Sequence, residues 1–263
     1  MQGNIDMPCR RDFILASLAF GMFLIDGKSL AGSFKHYKFK HEPYKGPLLE
    51  KLLRLAKRLD SGQLAPSQYA LEVQKRLRET KGVAEFKPWF EEIMQKPALA
   101  KLYESSWDKR RPALNLFFIP KGLAHAPHAH HSLTSTQLIL SGKIHLRQYD
   151  RIKRIDRKHL GIRLTSDRVL KPGEAFRMTD FENNIHWFGA ESEHSLLLNC
   201  NLSLINGKSF DPRGSRKPAR YYIDPTSKAR EDSLIIAPQI WGDENREEFL
   251  EKFEKNPLSK FSV

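Results

Sequence analysis

The segment Pro127-His128-Ala129-His130-His131 places three imidazoles within four residues, and His125 stands just upstream. Neutral imidazole is the commonest protein ligand for divalent first-row metals. In an extended segment alternate side chains share a face, so His128 and His130 would lie about 6.5–7 Å apart at Cα and could converge on one ion. His131 would face the other way, and Pro127 separates His125 from the run. This local spacing serves a metal site and a polar, imidazole-rich loop equally well. Other groups have plainer readings. Cys200 alternates with Leu196, Leu198, Leu202 and Leu204, which marks it as a buried apolar residue rather than a reactive thiol. His145, Arg147 and Tyr149 share a strand face that could hold an anionic substrate at a barrel mouth, or could be an exposed polar face. Arg177 and Arg220 are further possible anion ligands, and His36, His41, His159 and His194 read as surface residues.

The elements that must position these residues change character along the chain. "PLLEKLLRLAKRLDSG" puts Leu48, Leu49, Leu52, Leu55, Ala56 and Leu59 on one helical face, and "APSQYALEVQKRLRETKG" does the same with Tyr69, Val73 and Leu77. "EFKPWFEEIMQKPALAKLYESSW" reads as short helices broken at Pro88 and Pro97, so residues 47–111 form a helical extension. From Pro112 the pattern is β: short alternating or apolar runs, from "ALNLFFIP" to "ARYYID", are separated by Gly, Pro, Asn or Asp. Strands at that density imply a closed barrel or a two-sheet jelly roll over 112–240. A C-terminal helix and tail occupy 241–263, with Asp243 as N-cap and Phe249, Leu250 and Phe253 on the buried side.

The chain of 263 residues is long enough to bury a real core, with 40% hydrophobic and 29% charged residues. Its net charge of +13 favours contact with anionic partners, but the basic residues are scattered. No Lys/Arg block is interleaved with aromatics, so no nucleic-acid partner is expected. Residues 1–31 read as a signal peptide: Arg10-Arg11 precede an apolar run from Phe13 to Ile25, and "SLAG" supplies small residues for cleavage. The paired arginines followed by Asp12 and Phe13 resemble a bacterial twin-arginine signal, although an ordinary secretory signal or an uncleaved anchor fits the same run. A periplasmic or secreted protein follows, touching the membrane only through that segment. A linker over 32–46 joins it to the helices. Cleavage would leave Cys200 without the chain's other cysteine, Cys9, and so without an internal disulfide.

Gly122, five intervening residues, His128-Ala129-His130 and a strand ending at Gly142 resemble the first motif of the cupin family. "LKPGEAFRMTDFENNIHWFGA" is similar to the second motif, with Pro172-Gly173 as its turn and His186 as its histidine. The resemblance implies a mainly β, double-stranded β-helix (a jelly roll) and one divalent metal ion held by His128, His130 and His186. It covers roughly Pro112 to Asp224 and leaves the helical extension unaccounted for. The glutamate usual in the first motif is replaced here by Ser135; Gln137, on the same strand face, could offer an amide oxygen as a fourth ligand. A centre of three histidines alone resembles that of the thiol dioxygenase branch, as do "NIHWF" and "ARYYID".

Three neutral imidazoles leave open positions on an ion, and without a carboxylate the centre keeps its positive charge and favours an anionic donor. Iron(II) fits best, while zinc, manganese, nickel and copper take the same ligands. The expected function is an iron-dependent dioxygenase or related oxidoreductase acting on a small anionic or thiol substrate, with Arg147, Tyr149 and Arg177 as substrate contacts. A non-catalytic metal- or ligand-binding cupin of the cell envelope and a metal-assisted isomerase are the alternatives. A homodimer is compatible with any of these.

Overall fold

A computed structural model describes residues 36–37, 42–80, 82–93, 99–103, 112–203, 220–240, 245–256 and 258–261. Its first two helices are α1 (Pro47–Asp60) and α2 (Pro66–Arg78), each with proline at its start, where a missing N–H costs nothing. All six apolar residues expected on one face of α1 are buried, as are Tyr69, Val73 and Leu77 of α2. A short 3-10 helix (Gly82–Phe86) leads into α3 (Lys87–Ile93). Among the described residues no helix is long and apolar enough to cross a membrane.

The strands are β1 (His36–Tyr37), β2 (Leu99–Tyr103), β3 (Ala113–Pro120), β4 (Ala124–His130), β5 (Leu133–Ser141), β6 (Ile144–Arg154), β7 (His159–Leu170), β8 (Ala175–Met178), β9 (Ile185–Ala190), β10 (His194–Ser203), β11 (Arg220–Ile223) and β12 (Ile235–Ile240). They form a six-stranded sheet in the order β1-β2-β3-β10-β5-β8, and a ring in which β4, β11, β12, β7, β6 and β9 pair in turn and close. Helix α4 (Arg246–Glu254) and a 3-10 turn (Leu258–Lys260) follow. This is a mainly β jelly roll with helices at its N- and C-terminal sides.

Strand alternation divides the apolar residues among separate cores. Leu114, Leu116, Phe118, Leu138, Leu196, Leu198 and Cys200 point out of the six-stranded sheet and pack under α1 and α2. The opposite face of that sheet meets the ring through Phe117, Ile119, Ile139, Phe176, Leu197, Leu146 and Phe188. Ala129, Tyr149, Ile162, Ile185, Tyr221 and Ile235 come from the six ring strands and fill the ring itself. Ala126, Trp187 and Tyr222 are covered by Phe249, Leu250 and Phe253 of α4.

Three expectations need correcting. Leu99–Tyr103, expected within the helical extension, is a strand antiparallel to β3; pairing with an existing sheet edge outweighs its local helical pattern. His36–Tyr37, expected in the linker, pairs parallel to that strand. Pro88 lies in the first turn of α3 and starts it rather than breaking it. Asn245 is the residue at the cap of α4, whereas Asp243, like residues 1–31 with the expected signal, lies outside the described residues.

Gly142 closes the β5–β6 turn with φ +76°, and a Cβ there would collide with the His194 carbonyl oxygen. Backbone cannot yield as a side chain can. Gly142→Ala is expected to destabilise the fold by more than about 2 kcal/mol, read as a lower urea midpoint with an unchanged m-value.

Candidate metal centre

His128 and His130 lie on one face of β4, and His186 lies opposite His128 across the β4–β9 pairing. One nitrogen from each of the three lies within 4.8 Å of the others, a spread that small ring rotations can close onto one ion. The ring centroids of His128 and His186 are 4.0 Å apart, and those of His128 and His130 are 4.9 Å apart. His128 and His186 are buried, while His130 is partly open to solvent.

The backbone sets which nitrogen is available. His128 Nδ1–H donates to the Ala126 carbonyl at 2.7 Å, which leaves Nε2 with its lone pair. His186 Nδ1 faces the Asn184 carbonyl at a longer 3.4 Å. Asn184 also donates from Nδ2 to the carbonyls of His130, at 3.1 Å, and Thr179, at 3.0 Å. One side chain and its own backbone therefore touch two of the three histidine residues. Tyr221 extends this support: its hydroxyl donates to Asn184 Oδ1 at 3.3 Å and accepts from Arg151 at 3.0 Å. Asp180 holds the turn after His130, accepting from Ser132 N at 2.7 Å.

Burial is the main reason the imidazoles stay uncharged. It holds His128 and His130 well below the ordinary histidine value and lowers His186 to about 3. The positive charge of Arg220, which pairs with His130 across the β4–β11 ladder, presses all three the same way. Neutral imidazoles are the form a metal needs. On the neighbouring helix α4, burial raises the Glu254 carboxyl to about 8, with Arg220 and Arg246 acting against the shift.

His125 is the feature that residue spacing missed. Its ring lies 4.5 Å from His128 and 5.2 Å from Phe188, inside the same interior. The register explains this: His125 pairs with Phe188 and His128 with His186, so β4 spends one more residue than β9 between the two rungs. A bulge at Ala126-Pro127 thus keeps both rings on one face. The proline was its only sign in the sequence. His131 points away and stacks on Tyr221 at 4.5 Å.

Gln137 comes from β5 of the opposing sheet, so it faces the histidines rather than extending their row. Arg147, Tyr149 and Arg177, expected at the barrel mouth, are not brought together with them. Arg147 lies over the Trp187 ring, bonded to Asp167 and to the Phe261 carbonyl. Tyr149 packs inside the ring of strands. Arg177 turns to the helical side, where it donates to Gln74 Oε1 of α2 at 3.1 Å. The reason is alternation: the inner positions of β6 and β8 are Leu146 and Gln148, and Phe176 and Met178. Cys200 is buried under α1 and α2, and burial pushes its thiol up to about 12.

No family profile and no curated protein matches the sequence. Solved structures similar to part of it include TT1209 from Thermus thermophilus, at 20% identity over 40% of this chain and 83% of that one, TM-score 0.30. Another is the cupin domain of Schizosaccharomyces pombe Cnp3, at 13% identity over 40% of this chain and 63% of that one, TM-score 0.31. KdgF from Halomonas sp. aligns at 16% identity over 36% of this chain and 71% of that one, TM-score 0.28. Likeness at these scores carries no argument about activity. The jelly roll is established by the chain's own strand order, and the three histidines within it could hold a metal ion.

Two outcomes are expected. Asn184→Ala should weaken metal binding roughly 10–100-fold in a chelator competition titration while leaving the fold intact. In the metal-free protein, His186 folds with a value near 3 against its ordinary 6.5, so the unfolded chain binds more protons in acid. Stability should therefore be full at neutral pH and fall as pH drops below about 6.5, measured by urea unfolding at neutral and mildly acidic pH.

Proposed function

We propose that this protein is an exported cupin-type metalloprotein, in which His128, His130 and His186 hold one divalent ion for chemistry on a small molecule. The observation that carries the reading is the cluster itself: three buried or half-buried imidazoles, drawn from two paired strands, with ligand atoms within 4.8 Å. Their neutrality and the fixed tautomer of His128 are what metal ligation requires. Iron(II) is the proposed native ion; zinc, manganese, nickel and copper satisfy the same ligands. Iron(II) bound by three neutral ligands would supply open positions for dioxygen and a substrate, which makes a dioxygenase the favoured activity.

The chain's own residues would do the rest. His128 and His186 are kept unprotonated by burial, and Asn184 steadies the strands that carry all three histidines. Phe117, Phe176 and Phe188 make one side of the interior apolar and keep water from it. Arg220, next to His130 in register, supplies the positive charge that favours an acidic substrate, a part first expected of Arg147 and Arg177. In this reading export follows the twin-arginine route, which suits a protein that takes up its cofactor before crossing.

His128→Ala, His130→Ala and His186→Ala should each abolish stoichiometric metal by elemental analysis, whereas His131→Ala should retain it. The iron-loaded protein should consume oxygen with a small organic acid or thiol, and His186→Ala should not. Ligand binding without oxygen uptake, in protein that purifies with zinc or copper, would replace the oxygenase by a binding protein. Replacing Arg10 and Arg11 together by lysine should leave the precursor in the cytoplasm; normal export of that variant would return the segment to the ordinary secretory route.

A further inference from the structure

The two faces of the jelly-roll interior change from apolar to polar at the same rung. On the six-stranded sheet, Phe117, Leu197 and Ile139 belong to the apolar core. Two residues on, where alternation returns to the same face, stand Asn115, Asn199 and Gln137. They form a row: Asn115 pairs with Asn199 and Asn199 with Gln137 across three adjacent strands. Facing them, Phe188 and Leu146 give way to His186 and Gln148, with His128 alongside. The Phe117–His125 contact at 6.0 Å sets the level, because Asn115 is one rung on from Phe117 as His128 and His186 are from His125 and Phe188. At the β8 end the carboxamide row stays apolar, where Phe176 pairs with Gln137 and reaches Phe188 at 5.7 Å. The carboxamides of one sheet therefore stand opposite the histidines of the other.

This wall is buried and uncharged. Gln137 is 3% exposed, Asn199 2% and Asn115 8%. Ser135 Oγ, one rung further, donates to Asn199 Oδ1 at 2.8 Å, and Gln148 Nε2 donates to the Arg177 carbonyl at 2.9 Å. Gln137 Oε1 and Asn201 Oδ1 have no hydrogen-bond partner among the described residues. Buried amide oxygens in folded proteins are almost always satisfied, by the protein or by something bound. Bare thiols and alkyl chains would leave these amides unpaired, whereas hydroxyl groups both donate to and accept from them. Arg220 at the rim adds a single positive charge beside His130.

We infer that Gln137, Asn199 and Asn115 form the recognition wall of the three-histidine centre, and that its ligand is a small hydroxylated carboxylic acid. The hydroxyls meet the carboxamides, and the acid lies on the side of the histidines and Arg220. This rests on the proposed metal site and gives Gln137 a role towards the ligand rather than the metal.

The test is calorimetric titration of the zinc-loaded wild-type protein with matched probes. Glycerate, erythronate and gluconate supply acid and hydroxyls; propionate, butyrate and hexanoate lack the hydroxyls; erythritol and sorbitol lack the acid. The best hydroxy acid should bind at least roughly tenfold tighter than its alkanoate and its polyol, since a site built for hydroxyls rejects analogues that leave its polar groups unpaired. Gln137→Leu should lose roughly tenfold for that hydroxy acid, keep its affinity for the alkanoate, and retain one metal per chain by elemental analysis. Gln137→Met serves if the leucine variant does not fold, and the wild-type comparison stands without any variant. Equal affinity for hydroxy acid and alkanoate, a polyol as tight as the acid, or loss of metal in folded Gln137→Leu would each overturn the inference. Wild-type protein that takes up no metal overturns the metal reading instead, and the same probes on that metal-free protein still test the wall.

Discussion

Three imidazoles can be gathered inside a protein only if they are kept uncharged, because protonating any of them would set a positive charge beside the others in a poorly solvated interior. Much of this structure follows from meeting that condition. The rings sit between two sheets, where burial favours the neutral form. The Ala126 carbonyl takes up one N–H, so a neutral ring is also an oriented one. The same arrangement that removes the protons leaves lone pairs converging on a common point.

The scaffold around the rings is divided to suit. Apolar residues from both sheets fill one end of the sandwich, and polar ones line the other. The outer face of the six-stranded sheet would be a large exposed apolar surface without α1 and α2, whose leucines cover it. The helical extension thus answers a need created by the sheet, and its link to the three histidines is indirect: Gln74 of α2 bonds both the Ala175 carbonyl and Arg177 on the edge strand β8.

Periodicity made the helix faces legible, since Leu48 to Leu59 recur at helical spacing and nothing in the tertiary structure opposes that pattern. The pairing of His128 with His130 was legible for the same reason, with a period of two in place of 3.6. His186 could be found only through the resemblance of two separated motifs, because cross-strand register leaves no local trace. The place of His125 was hidden by a bulge, which shifts alternation without changing composition. Arg147 and Arg177 misled because a charge on a strand does not say which face is inner, and the cores on both sides of β6 are buried. Leu99–Tyr103 became a strand because an open sheet edge was there to receive it.

Strands β6 and β9 present alternate residues to two different cores, with Phe188 on one side and Ile185 on the other as the plainest case. Neither core can come apart without withdrawing strands from the other, so the sandwich and the ring are bound into one cooperative unit. Anything that grips His128 and His186 pulls on shared walls. The free energy of occupancy is then distributed across the whole β region, and a small ion can act as a keystone for strands far from its own coordination sphere.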